Sequence, residues 1–79
     1  MIRVLVADHQ PIVSYGIRML FENSKDIKIV NTANSAKQLL DYLKKSNTDI
    51  VLMTMDLPDI NGITLLRSIK KEFNNVSII

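Results

Sequence analysis

The sequence holds no cysteine. Disulfide staples and thiolate metal sites are therefore excluded, and a small core has to stand on packing alone. Glycine is scarce as well: Gly16 and Gly62 are the only two. Neither G-x-G-x-x-G nor a P-loop can be spelled with them, so a nucleotide-binding enzyme is the least supported reading. No apolar run approaches the length of a membrane span, and the one at the start of MIRVLVADHQP is too short for a signal h-region. A soluble, cytoplasmic protein without membrane attachment is expected, and the Asn75-Val76-Ser77 sequon has no consequence without a secretory route. Charge of one sign is not concentrated anywhere. Ten basic and eight acidic side chains leave a net charge of +2. The pairs Lys44-Lys45 and Lys70-Lys71 stand near predicted helix ends, where they complement the helix dipole. Nucleic-acid binding by this segment is not expected.

What the chain does have is apolar content and a repeating pattern. Its 79 residues allow one domain, and 47% of them are hydrophobic, which favours a folded core over disorder. A chain this short buries only about 60% of the surface its unfolded form exposes, so its stability margin is thin.

Apolar periodicity alternates between two templates. Ile2, Val4, Leu5, Val6 and Ala7 read as a buried strand. Pro11 suits a first helical turn, and Val13, Ile17, Leu20 and Phe21 follow at helical spacing, predicting a helix over 10–22. Ile27, Ile29 and Val30 give a weaker second strand. Ser35 with Gln38 forms a capping box before the amphipathic run Ala36, Leu39, Leu40, Leu43. Ile50 to Met53 make a third buried strand. Asn61 caps a third helix, with Ile63, Leu66, Ile69 and Phe73 facing inward. Val76 to Ile79 begin a fourth strand. The order β-α-β-α-β-α-β predicts an α/β domain: a parallel sheet with right-handed crossovers and helices on both faces. Ligands of such sheets sit beyond the carboxyl ends of the strands. If strands one and three are neighbours, Asp8, His9, Thr54 and Asp56 share one rim.

VLVADHQPIVSYGIRML resembles the opening of a response-regulator receiver domain, in the branch that carries a C-terminal helix-turn-helix DNA-binding domain. DIVLMTMDLPDINGITLLRSIK resembles the family's third strand, phosphoacceptor loop and third helix, with L-P-x-x-N-G standing for its M-P-x-x-D-G. The resemblance covers essentially the whole chain. It implies the flavodoxin-like receiver fold with strand order 2-1-3-4-5. It also implies a phosphoacceptor four residues before Pro58, which here is Thr54. The family's two acids after strand one become Asp8 and His9. Asp56 falls where the family turns a backbone carbonyl toward the metal, so its carboxylate is not a matched ligand. The family's later hydroxyl and lysine lie past Ile79, and residues 1–79 read as a truncated, degenerate receiver-like domain.

These substitutions change the chemistry the resemblance implies. An aspartate is ionised near neutral pH because its reference pKa is about 3.9, whereas a threonine hydroxyl needs a base to act as a nucleophile. Magnesium favours clustered oxygen ligands. Imidazole at residue 9 and hydroxyl at residue 54 leave Asp8 as the lone matched acid, so magnesium binding is expected to be weak or absent, with no other cofactor. Competing roles stay open for the rim. Asp8 caps the first helix, pairs with a neighbour, or is a remnant of the acidic pocket. Thr54 reads as structural with a satisfied hydroxyl, and Asp56 and Asp59 as shaping the turn through side-chain to backbone bonds. Met19, Met53 and Met55 read as core or rim filling, and Tyr15 and Tyr42 as half-buried helix residues.

With strand four as an edge, its amides and Ile78 and Ile79 offer a template to another chain, while Ile12, Ile17, Met19 and Leu20 are candidates for a bare patch beside helix one. The sequence therefore predicts a non-enzymatic module of bacterial signalling or transcription control. It acts through protein contacts, by dimerisation, element swapping or binding another receiver-like regulator, without aspartate phosphorylation. The rivals are a working phosphoacceptor that uses Thr54 or Asp56, and an inactive fragment of a larger DNA-binding response regulator.

Overall fold

The computed structural model describes residues 1–79. Its elements run β1 (Ile2–Ala7), α1 (Pro11–Leu20), β2 (Ile27–Ala33), α2 (Ala36–Lys45), β3 (Ile50–Met53), α3 (Gly62–Glu72) and β4 (Ser77–Ile78). All strand pairs are parallel, in the order β2-β1-β3-β4. The α/β alternation and the adjacency of strands one and three read from the sequence are both present.

Period-2 alternation divides the sheet between two layers. Leu5, Ala7 and Val51 face α2 and α3 and join Ala33, Ala36, Leu39, Leu43, Leu57, Leu65, Ile69 and Val76 in one core. Val4 and Val6 point the other way, are buried, and lie outside that cluster. Helix α1 lies on their side of the sheet, and its Ile17 lines a cleft together with Val6 and Leu52.

Local chemistry sets the helix ends. The α2 cap is the expected box with one change. The Gln38 N–H donates to Ser35 Oγ at 3.2 Å, but Gln38 Oε1 accepts from the Asn34 N–H at 2.9 Å, one residue earlier than the usual partner. Asn61 Oδ1 accepts from the N–H groups of Ile63 and Thr64 at 2.9 and 3.4 Å, as its position before α3 predicted. The last turns of α2 and α3 carry the two lysine pairs.

Four sequence readings need correction. Helix one spans Pro11–Leu20 rather than 10–22, because Gln10 is extended and the chain turns after Leu20. Strand two runs on to Ala33 with a bulge: Val4 pairs with Ile29, and Leu5 with Asn31. In α3 the fully buried positions are Leu65 and Ile69, while Ile63 is 54% exposed. Gly62 is packed tightly at the first turn, and it is buried on α3 together with Leu65 and Ile69. Tyr15 is exposed rather than half-buried.

Candidate functional site at the carboxyl rim

Parallel pairing brings the ends of β1 and β3 side by side. The Thr54 N–H donates to the Ala7 carbonyl at 3.1 Å, and the Asp8 N–H donates to the Ala33 carbonyl at 2.9 Å. Asp8 and Thr54 are thus held on adjacent strand ends by backbone bonds alone. They share a cleft of about 130 Å³ with Val6, Ala7, Ile17, Leu52 and Met53.

The other two rim residues lie outside that lining. His9 is exposed, and its Nδ1 stands 3.8 Å from Asp8 Oδ1, beyond hydrogen-bond length. Asp56 is exposed on the loop after β3. The four residues share a rim, as their positions predicted, but only two share a cleft.

Each polar group has an identifiable role in the local backbone. Asp8 Oδ1 accepts from the Gln10 N–H at 2.9 Å, which forms a tight turn into α1. It does not cap the helix, since its partner precedes the first helical residue. Thr54 Oγ1 accepts from the Asp56 N–H at 3.3 Å. The hydroxyl accepts that one backbone bond, whereas the Asp56 side chain forms none of the turn bonds read from the sequence.

Asp59 does more than shape its own turn. Its two carboxylate oxygens accept from the Ala36 and Lys37 N–H groups at 2.8 and 3.0 Å. Those are the first two orphan donors of α2, left over by the Ser35 cap. The bonds stabilise the ionised form and hold the Asp59 carboxyl below its ordinary value of 3.8. Spacing gave no warning of this bridge, because its ends are far apart in sequence.

Gly62 completes the loop. A Cβ at that position would lie 2.9 Å from the Met55 Cα and carbonyl oxygen. The glycine is required by close approach, not by its own backbone angles, since no residue has positive φ. Leu57 seals the loop from below and is buried in the core.

No three His, Cys, Asp or Glu side chains converge anywhere in the chain. At the rim cleft the available oxygens are one carboxylate, already accepting from Gln10, and one neutral hydroxyl. That donor set does not fit a hard divalent cation, which favours several anionic oxygens in a regular cage.

The predicted contact residues fall into two groups. Ile12, Met19, Leu20 and Ile79 are 79%, 50%, 80% and 72% exposed. Ile17 and Ile78 are half-buried, Ile17 against the sheet and Ile78 against the α2–α3 core. Beside them an apolar groove of about 540 Å³ runs between α1 and the edge strand β2, lined by Met19, Phe21, Ile27 and Ile29 among others.

The family model described as "Response regulator receiver domain" matches residues 4–79. The chain is 35% identical over 79 residues to the response regulator UvrY of Escherichia coli, covering 100% of this chain and 36% of that protein. It is 29% identical over 76 residues to the Fimbriae Z protein of the same organism, covering 96% and 36%. Among solved structures, the RcsB response regulator of Salmonella typhimurium superposes with a TM-score of 0.93 at 30% identity, covering 100% of this chain and 42% of that one. The isolated receiver domain of RcsB gives a TM-score of 0.89 at 31% identity, covering 99% and 57%. The chain spans about a third of the length of the curated relatives it matches.

Proposed function

The chain belongs to the response-regulator receiver family of two-component signalling, related to transcription regulators, and from that premise we propose that it is a degenerate member, working through protein contacts without accepting a phosphoryl group. One observation carries this reading. The position the family uses for its phosphoacceptor is Thr54, which opens onto a cleft where Asp8 is the only acid. The hydroxyl is not ionised near neutral pH and already accepts a backbone hydrogen bond. His9 does not line the cleft and makes no hydrogen bond to the hydroxyl. Asp56, the rival acceptor, is exposed and does not line the cleft.

The same geometry argues against magnesium. A titration followed by amide chemical shifts is expected to show no saturable change at Asp8 or Thr54 in the low millimolar range. Tight binding that Asp8→Asn abolishes would overturn the reading.

For the contact role, the supporting surface is the exposed row of Ile12, Met19 and Leu20 and the groove beside the edge strand β2. Unpaired strand edges and contiguous apolar patches are templates for association. We assign residues 1–79 to one receiver-like unit that self-associates, by dimerisation or element swapping, or pairs with another receiver. Light scattering after size exclusion is expected to give a mass above the monomer at tens of micromolar. A monodisperse monomer with a cooperative melt would contradict it.

A second reading is that these residues are the receiver portion of a longer DNA-binding regulator. It is favoured by the coverage of UvrY, 36% against 100% of this chain.

A further inference from the structure

A second cleft, of about 360 Å³, lies between α1, the end of β2 and the start of α2. It touches the rim only through Asp8, which borders both clefts. One wall is a stripe of α1 at helical spacing, carrying Ser14, Tyr15 and Arg18. The opposite wall presents Thr32, Asn34 and Tyr42.

The hydrogen-bonding state of these groups is unusual for a structural seam. Ser14 is only 8% exposed, yet its hydroxyl takes part in none of the chain's side-chain hydrogen bonds. Thr48 Oγ1 is the sole side-chain polar atom both wholly buried and unpaired, so the Ser14 hydroxyl keeps its access through the cleft it lines. Arg18 forms no ion pair, the one such contact in the chain being His9 with Asp8. No acid lies on α1 to compensate it. The hydroxyls of Tyr15, Tyr42 and Thr32 are likewise unengaged.

The lining thus mixes donors with hydroxyl, amide and carboxylate oxygens that accept, and Arg18 is its one cation. Arg18 alone offers five N–H groups in a fork that suits phosphate or carboxylate. Two acceptors already hold a bond each: Gln38 Oε1 takes the Asn34 N–H, and one Asp8 oxygen the Gln10 N–H. The ligand that complements this lining is anionic at the Arg18 end and carries hydroxyls, which both donate and accept, along the rest. Its far end carries a hydroxyl for the remaining Asp8 oxygen. The volume falls within the range of about 300–1,000 Å³ found for small-molecule sites.

We propose that this cleft binds a small phosphate monoester of a polyol or sugar, with the phosphate on Arg18, the polyol along Ser14 and Thr32, and a terminal hydroxyl at Asp8. The site shares Asp8, and no other lining residue, with the rim cleft. Whether the monoester is a free polyol phosphate or a nucleotide is decided by the probes.

The test is a titration of the 79-residue chain with glycerol phosphate, AMP, inorganic phosphate and glycerol, followed by amide chemical shifts. Glycerol phosphate or AMP is expected to produce saturable shifts centred on Ser14, Arg18 and Tyr42, with inorganic phosphate weaker and glycerol silent. Arg18→Gln is expected to weaken binding about tenfold or more, the scale of one charge-assisted anchor. Ser14→Ala should weaken it less. Lys25→Gln, a surface cation away from the cleft, should leave it unchanged. Arg18 is exposed, so its loss removes no core contact, and a dispersed amide spectrum verifies the fold of each variant. No saturable binding of any phosphate at millimolar concentration would overturn the proposal. So would equal affinity in Arg18→Gln, or an equal loss in Lys25→Gln.

Discussion

The Asp59 carboxylate accepts the Ala36 N–H at 2.8 Å, joining the loop after β3 to the first turn of α2. Because its second oxygen takes the Lys37 N–H, one acid satisfies two helix donors and anchors the rim loop at once. The bonds hold the folded-state carboxyl below 3.8, so its contribution to stability is present above that value and is lost as pH falls through the lowered folded value. Thermal melts of the native chain and Asp59→Asn should therefore differ near neutral pH and converge in acid. A constant difference down to the lowest pH would show that the bonds are not charge-dependent.

Gly62→Ala is expected to destabilise the chain by about 1–3 kcal/mol, the usual scale of overpacking, because the added methyl meets backbone atoms of Met55 that cannot rotate away. Chemical denaturation measures the loss. Hydrogen exchange should place the disturbance between residues 54 and 62.

Leu65→Ala should cost about 2–5 kcal/mol and Ile63→Ala no more than about 0.5 kcal/mol. The first empties a fully buried site, and the second trims a side chain that is half in water. Urea midpoints of the two variants discriminate the observed helix phase from the one read off the sequence.

If α1 carries the contact surface, replacing Leu20 or Ile12 by lysine should move the assembly toward monomer without lowering the melting temperature of the monomer fold. Both side chains are exposed and make no core contact, so only association should respond. Light scattering across a dilution series is the measurement.

The fold was legible because its signals are local. Ile2–Ala7 and Ile50–Met53 read as buried runs, and Ser35 and Asn61 sit at helix starts where their oxygens reach the next amides. The rim was half legible. Positions 8 and 54 are fixed by strand pairing, so their shared cleft followed from topology. The fates of His9 and Asp56 depend on which way one residue turns after a strand ends, and alternation stops there. The Asp59 bridge and the Gly62–Met55 approach join segments remote in sequence or crossed by an irregular loop, where periodicity carries no information. The placement of Leu65 over Ile63 was ambiguous because both lie among apolar neighbours at helical spacing. In the structure Leu65 is buried on α3 together with Gly62 and Ile69.

Exposure to acetyl phosphate with magnesium, followed by intact mass at neutral pH and again after hydroxylamine, probes the rim most directly. A chain whose residue 54 has no charge to offer should keep its unmodified mass throughout. A near-stoichiometric gain of one phosphoryl group that hydroxylamine removes would show an acyl phosphate forming here after all, and the reading of this rim as silent would be wrong.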